Sequence, residues 1–127
     1  MELVVIVIVL ALLQYFAFGI LVGRARMKYN VPAPATSGDP TFERYNRVHQ
    51  NTLEALLLFL PGITIYGTYS NPNIAAALGV VWIIGRFIYL RAYVKEPGSR
   101  GLGFALTTLP SLFLLIGGAI AAGLSLL

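Results

Sequence analysis

The chain has no cysteine and a single histidine, His49, in 127 residues. The lack of cysteine excludes disulfides, a thiol nucleophile of the protein's own and thiolate metal sites. Any thiol chemistry must therefore use a thiol that a substrate brings. One histidine and five acidic residues are a poor supply for a metal centre, which wants clustered histidines or carboxylates; no metal site is expected. Charge is scarce too. Charged residues make up 11% of the chain, less than half of the roughly 25% usual in a soluble domain.

What fills the chain instead is apolar, with 57% hydrophobic residues and a positive mean hydropathy. Leu3 to Val22 is a run of 20 residues without a charge, enough to cross a hydrocarbon core of about 30 Å. Leu102 to Leu127 is uncharged as well. A signal peptide would carry a basic n-region and a shorter apolar core; Met1-Glu2-Leu3 and the long run that follows point to a membrane span. Eight of the nine basic residues fall into two stretches. Arg24, Arg26, Lys28, Arg44 and Arg47 flank the first connector, and Arg91, Lys95 and Arg100 flank the third. The second connector, Tyr69-Ser70-Asn71-Pro72-Asn73, has no charge. Lys and Arg are retained on the cytoplasmic side during insertion. The alternation predicts an all-α, up-down-up-down bundle of four membrane helices, with connectors one and three inside and both termini outside. The net charge of +4 is then a topology signal more than a nucleic-acid footprint, and no nucleic-acid partner is expected. The whole chain, 1–127, is expected to form one four-span domain, with spans near 3–25, 47–70, 73–94 and 102–126. No sizeable soluble domain fits between them, so activity must lie inside the bundle or at its cytoplasmic mouth.

Local signals set the boundaries. Asn30 to Gly38 contains Pro32 and Pro34, which remove backbone donors, and cannot be helical. Asp39-Pro40 is a helix start, with Asp as N-cap and Pro in the first turn. A helix from Pro40 to about Ser70 would be about 46 Å long at 1.5 Å per residue, so its first turns should project into the cytoplasm; Pro61 predicts a kink or a lost hydrogen bond within it. Asn71-Pro72 breaks the chain and opens the next helix. In that helix only Ile74 to Gly85 is uncharged, too short to span alone, which places Arg86 within the membrane. Pro97-Gly98-Ser99 turns into the last helix, where Pro110 is a second candidate kink. Gly117, Gly118, Ala119, Ala121, Ala122 and Gly123 permit close packing there.

Ionisable residues in membrane helices are costly and face a bundle interior or a wet cavity. Arg47, Gln50, Asn51 and Glu54 share one face of the second helix at i, i+3, i+4, i+7, and Arg86, Tyr89 and Tyr93 share one face of the third at i, i+3, i+7. The second helix enters from the side at which the third leaves, so both stripes lie at one depth. Guanidinium groups bind carboxylates through paired hydrogen bonds, a carboxylate such as Glu54 binds an ammonium, and Tyr and Asn complete the bonds of a zwitterion. The set suits a small, doubly anionic, amine-bearing ligand. The competing reading is that Glu54 and Arg86 pair with each other as structural glue. His49 reads as a surface or interhelical hydrogen-bonding group. A small transporter or channel is a further class, opposed by the confinement of polar residues to one leaflet.

The run Phe42-Glu43-Arg44-Tyr45-Asn46-Arg47-Val48-His49-Gln50-Asn51-Thr52-Leu53-Glu54 resembles the second-helix signature of the MAPEG superfamily, the membrane-associated proteins in eicosanoid and glutathione metabolism. The likeness is greatest to the microsomal glutathione transferase types two and three and the leukotriene-C synthase group. Gly85-Arg86 with Tyr89, Tyr93 and, after a short turn, Arg100 is similar to the same group's third-helix pattern. The resemblance implies a homotrimer of four-helix protomers that binds glutathione as cosubstrate between neighbours, with no resident cofactor. Carried over by motif position, Arg47, Asn51, Glu54, Tyr89 and Tyr93 bind glutathione, Arg26 approaches one of its carboxylates, and Arg100 activates its thiol as the catalytic residue. The implied activity is glutathione transfer, or peroxide reduction, on a lipophilic substrate arriving through membrane lipid. The family also includes a non-catalytic lipid-binding scaffold, the lipoxygenase-activating protein; Arg47 and Arg100 favour the enzymes. His49 stands where leukotriene-forming members have glutamine, and Ala55 where they have tyrosine, which argues against leukotriene synthesis. Very short loops and the lack of a C-terminal retrieval signal lean towards a bacterial inner membrane, or an endomembrane in a eukaryote.

Overall fold

A computed structural model describes residues Met1–Leu127. Its architecture follows from caps, glycines and charge-free runs. Helix α1 spans Glu2–Tyr29, α2 Pro40–Tyr69, α3 Pro72–Lys95 and α4 Gly101–Leu124, with a 3-10 turn at Pro97–Ser99 before the last. All four are long and apolar enough to cross a membrane. Asp39 caps α2 by accepting from the Phe42 N–H at 2.9 Å, and Asn71 caps α3 by accepting from the N–H groups of Asn73 and Ile74. Asn30 ends α1 in the left-handed conformation, at φ 56°, a conformation that Asn tolerates better than most residues. Both α2 and α4 remain helical through their prolines, Pro61 and Pro110.

The pairing of ends fixes the topology as up-down-up-down. The Arg26 guanidinium near the end of α1 lies over the ring of Phe42 at the start of α2. Arg44, one turn further on, donates to the last carbonyls of α3, Val94 at 3.0 Å and Lys95 at 3.2 Å. Gly103 at the start of α4 lies against the backbone of Tyr89 near the end of α3. Helices α2 and α3 pack on each other, and each packs on both α1 and α4, which lie on opposite sides of that central pair. The core between them holds Phe59 stacked on Trp82 at 4.4 Å, with Val7, Ile63 and Leu114. In mid-membrane, Gln14 of α1 donates to the Ile83 carbonyl of α3 at 2.9 Å. A side-chain amide bond of this kind ties membrane helices together where no water competes.

Small residues set the helix separations, but not only those that the sequence suggests. Gly117 and Gly118 do pack on α2, against Tyr66 and Ile65, whereas a Cβ on Gly123 would meet nothing within 4 Å. The tightest approaches are at Gly79, Gly85 and Gly103. Apolar side chains such as Leu10, Phe16, Leu57 and Ile116 cover the outside, as lipid solvent requires.

Candidate functional site

Arg86 is the centre of the polar region. It is fully buried, although it lies in the middle of a candidate span. Gly85 lets α3 approach Leu106 and Thr107 of α4, which brings the guanidinium within reach of two other helices. Its Nη2 donates to Asn51 Oδ1 and to Thr52 Oγ1, each at 2.9 Å, and its Nη1 to Thr107 Oγ1 at 3.5 Å. Thr52 and Thr107 each donate their own proton back to a carbonyl of their own helix, Val48 at 2.7 Å and Phe104 at 3.0 Å. Their oxygen lone pairs are thereby left for the cation. The guanidinium carbon also lies 4.3 Å from the centre of the Tyr89 ring, a cation–π arrangement that gains strength away from water. Glu54 is not a partner. The expected alternative of a Glu54–Arg86 pair is corrected: Arg86 faces into the bundle, while Glu54 turns outward along α2 and pairs with Arg47 at 3.6 Å.

That second pair lies on the surface of the protomer, with side chains 54% and 61% exposed. Arg47 also lines an open cavity of about 530 Å³ at the basic end of the bundle, together with Arg44, Gln50, Tyr93, Glu43, Asn46 and residues of the first connector and the start of α2. Tyr93 stacks on Tyr89, centroids 5.6 Å apart and planes within 12°. Cavity, tyrosine stack and buried arginine thus form a continuous polar path from the mouth inward.

The site residues named from sequence divide into three groups. Arg47 and Tyr93 line the cavity itself. Asn51, Glu54 and Tyr89 touch those residues or Arg86. Arg26 and Arg100 lie outside this set. Arg26 donates to the carbonyls of Ala35 at 2.6 Å and Pro32 at 3.4 Å, clasping the first connector, and borders a separate cavity with Asn30 and Pro32. Arg100 is exposed and donates to the Pro97 carbonyl of its own turn at 3.1 Å. His49 is interhelical, stacked on Tyr15 at 4.3 Å over Gly19, with Nε2 lacking a hydrogen-bond partner. No three of the carboxylates and the histidine converge as metal ligands do.

Some contributors went unnamed in the sequence reading of the site. Arg44 carries a usable signal, since it extends the α2 stripe by one turn at i−3 from Arg47. Thr107 carries none, because a lone threonine in an apolar helix has no periodic partner. Thr52, next to Asn51, is identified only by the helix rotation that turns it to Arg86.

Four apolar helices, with a cationic, tyrosine-lined site confined to one end, make this an integral membrane protein. The chain belongs to the MAPEG family, whose model matches residues 4–120. It is 46% identical over 112 residues to an uncharacterized protein of Synechocystis, covering 88% of this chain and 82% of that one. It is 38% identical over 99 residues to microsomal glutathione S-transferase 2 of Homo sapiens, covering 78% and 67%. It is 36% identical over 89 residues to leukotriene C4 synthase of Cavia porcellus, covering 70% and 59%.

Proposed function

We propose that the protein is a membrane-bound glutathione transferase that conjugates the glutathione thiolate to lipophilic electrophiles, with peroxide reduction as a second use of the same thiolate. The observation that carries this reading is the open cavity bearing Arg47, Gln50 and Tyr93, backed by Tyr89, Asn51 and the buried Arg86. Relatives named as a glutathione transferase and a leukotriene synthase support it. Arg47 and Glu54 pair loosely with each other; glutathione offers each a better partner, a carboxylate for the guanidinium and an ammonium for the carboxylate. A free thiol with pKa near 8.5 is only a few per cent thiolate at pH 7. Lowering that pKa by two units takes about 2.7 kcal/mol at 1.36 kcal/mol per unit, within reach of one guanidinium in a partly dehydrated site. Arg100 is assigned that role, which requires it to exchange the Pro97 carbonyl for the sulfur. The thiolate then forms a bond to carbon as the leaving group departs with its electron pair, or attacks a peroxide oxygen as the O–O bond breaks. Glutathione enters from water, and the apolar partner through lipid.

The reading includes a homotrimer, with Arg26 serving a site completed by a neighbouring protomer. Glu54 lies about 22 Å from the outer end of α2 at 1.5 Å per residue, inside a core about 30 Å thick. An ion pair facing lipid there is costly, which argues for a second protomer over it. The reading places the protein in a bacterial inner membrane, in keeping with the Synechocystis relative, or in an endomembrane if the source is a eukaryote.

A non-catalytic lipid-binding scaffold of the same fold is the second reading. One observation favours it: Arg100 is bonded within its own turn, away from the cavity. Glutathione titration of detergent-purified protein, followed by thiolate absorbance and by turnover of a generic aryl halide, separates the two. The transferase reading expects thiolate formation at neutral pH and conjugate release. Absence of both in folded, membrane-extracted protein leaves the scaffold.

A further inference from the structure

At the basic end, between α1, the start of α2 and α3, two further cavities adjoin. One, of about 280 Å³, is lined by Leu21, Arg24, Lys28, Tyr29 and Tyr45 among others. The second, of about 380 Å³, is lined by Leu21, Tyr45, Leu90, Arg91, Val94 and Lys95. Leu21 and Tyr45 belong to both, so the two form one cleft with an apolar floor and a basic rim. The rim cations come in i, i+4 pairs, Arg24 with Lys28 and Arg91 with Lys95, each pair on one helix face. All four side-chain-bearing residues are exposed. The protomer's two ion pairs, Met1–Glu2 and Arg47–Glu54, involve none of them. Glu96 follows Lys95 in sequence but lines neither cavity.

Helix C-termini ordinarily repel anions, and both α1 and α3 end here. Some of their terminal carbonyls are already bonded. Arg44 donates to those of Val94 and Lys95, and the Asn30 and Val31 N–H groups close α1 on the Arg26 carbonyl. The rim cations are not spent on these groups and have no carboxylate partner; Lys28 lies over the ring of Tyr29 at 5.4 Å, a contact that leaves its ammonium donors free for an anion. Towards mid-membrane the wall becomes apolar, with exposed Phe87 and Ile84 on α3 and an edge contact between Phe87 and Phe18 of α1.

We infer that this cleft binds an anionic glycerophospholipid, its phosphate held between the Arg24–Lys28 and Arg91–Lys95 pairs over Tyr45 and its acyl chains lying along α1 and α3. A basic pocket between membrane helices at headgroup depth has the charge and the apolar continuation that such a lipid requires. The site is separate from the glutathione cavity and does not depend on it. The same cations also set topology, so a test must hold the charge of each connector constant.

Protein purified in a neutral detergent is titrated with phosphatidylglycerol, with phosphatidylcholine of the same acyl chains, and with inorganic phosphate. Retained lipid is read by native mass spectrometry and stability by thermal unfolding. Wild type is expected to retain phosphatidylglycerol and gain stability from it, and to respond to neither of the others. Lys28→Gln with Arg91→Gln, compensated by Ser37→Lys and Gly98→Lys, keeps the net charge and the basic count of both connectors. Its affinity for phosphatidylglycerol is expected to fall about fivefold for each cation removed, the factor that about 1 kcal/mol per basic side chain represents. Equal retention of the two lipids by wild type, an equal effect of inorganic phosphate, or undiminished retention by the relocated-charge variant would each overturn the proposal. The comparison of ligands on wild type stands even if the variant fails to fold.

Discussion

Arg86 Nη2 donates to Asn51 Oδ1 at 2.9 Å, and this bond decides which end of the Asn51 amide is free. The oxygen is committed to the buried cation, so the amide NH2 is left to donate outward. The amide NH2 suits an acceptor on a ligand, such as a carboxylate or peptide carbonyl. Asn51→Asp tests this, because a carboxylate keeps the bond to Arg86 and removes the donor. The variant is expected to unfold no more easily than wild type and to bind glutathione more weakly by about 1.5–3 kcal/mol, the range for hydrogen bonds involving charged groups. Arg86→Leu is expected to lower stability by about 3 kcal/mol or more, since three oxygens lose their buried partner. Thermal unfolding read beside glutathione titration distinguishes the two effects. Unchanged affinity in folded Asn51→Asp would remove Asn51 from recognition.

Gly103 holds Tyr89 in register. A Cβ at position 103 would stand 2.6 Å from both the N and Cα of Tyr89, and backbone atoms cannot rotate away. Gly103→Ala is expected to cost about 1–3 kcal/mol, as overpacking does, and to lower turnover by shifting the Tyr89–Tyr93 stack. Gly123→Ala, where nothing lies within 4 Å, serves as the matched control. Equal melting temperatures for the two variants would show that α3 and α4 separate freely.

Helix ends were legible in the sequence because their causes are local. Asp39-Pro40 and Asn71-Pro72 supply a cap and a first-turn proline, and the observed starts fall there. The shared depth of the two polar stripes was legible too, because antiparallel neighbours must match ends. The partners of Arg86 were not. Arg47, Asn51 and Glu54 share a helix face, but spacing does not say how far that face is rotated towards α3. How the helices seat depends on close contacts, at Gly79 where α3 meets side chains of α1 and α2 and at Gly85 and Gly103 where α3 meets α4, and these are pairwise properties of two helices. The burial of Arg86 by hydroxyls, with Glu54 left on the surface, therefore emerges only in three dimensions. Arg26 shows the same limit: its spacing marks the end of α1, yet its bonds run to loop carbonyls six and nine residues on.

The alternation of basic connectors predicts that Ser70 faces the outside and Ser99 the cytoplasm. In a chain that already lacks cysteine, Ser70→Cys is expected to react with an impermeant maleimide on intact cells, and Ser99→Cys only after permeabilisation. The reverse pattern would invert the orientation.

Arg47→Ala and Glu54→Ala probe ligand recognition against internal pairing. Both side chains lie on the surface of the protomer, more than half exposed, and neither packs in its core, so the protomer's own fold depends little on them. Each substitution is expected to leave the melting temperature of the protomer nearly unchanged. Each should weaken glutathione binding by about 1.5–3 kcal/mol through a lost charge-assisted hydrogen bond. A loss of the proposed trimer in native mass spectrometry without any loss of affinity would assign the pair to assembly.

Arg100 offers the sharpest chemical test. It stands at the entry to α4, exposed, with its guanidinium on the Pro97 carbonyl. A neutral carbonyl is a weaker partner for a cation than a thiolate, so bound glutathione can draw the side chain over. If Arg100 stabilises the thiolate, its removal acts on rate more than on affinity, since the carboxylate contacts at Arg47 remain. Arg100→Ala is expected to raise the pKa of the bound thiol and to lower turnover at neutral pH by about tenfold per unit shifted. The sign follows from the reactive form. A higher thiol pKa leaves less thiolate at a given pH, so the pH–rate profile moves to higher pH and the deficit closes in alkaline buffer. Arg100→Lys should recover part of the loss, because charge survives while the forked geometry does not. A variant lacking Arg100 with an unmoved pH–rate profile and full turnover would transfer the activating role to Arg26 or to a tyrosine hydroxyl of the Tyr89–Tyr93 stack.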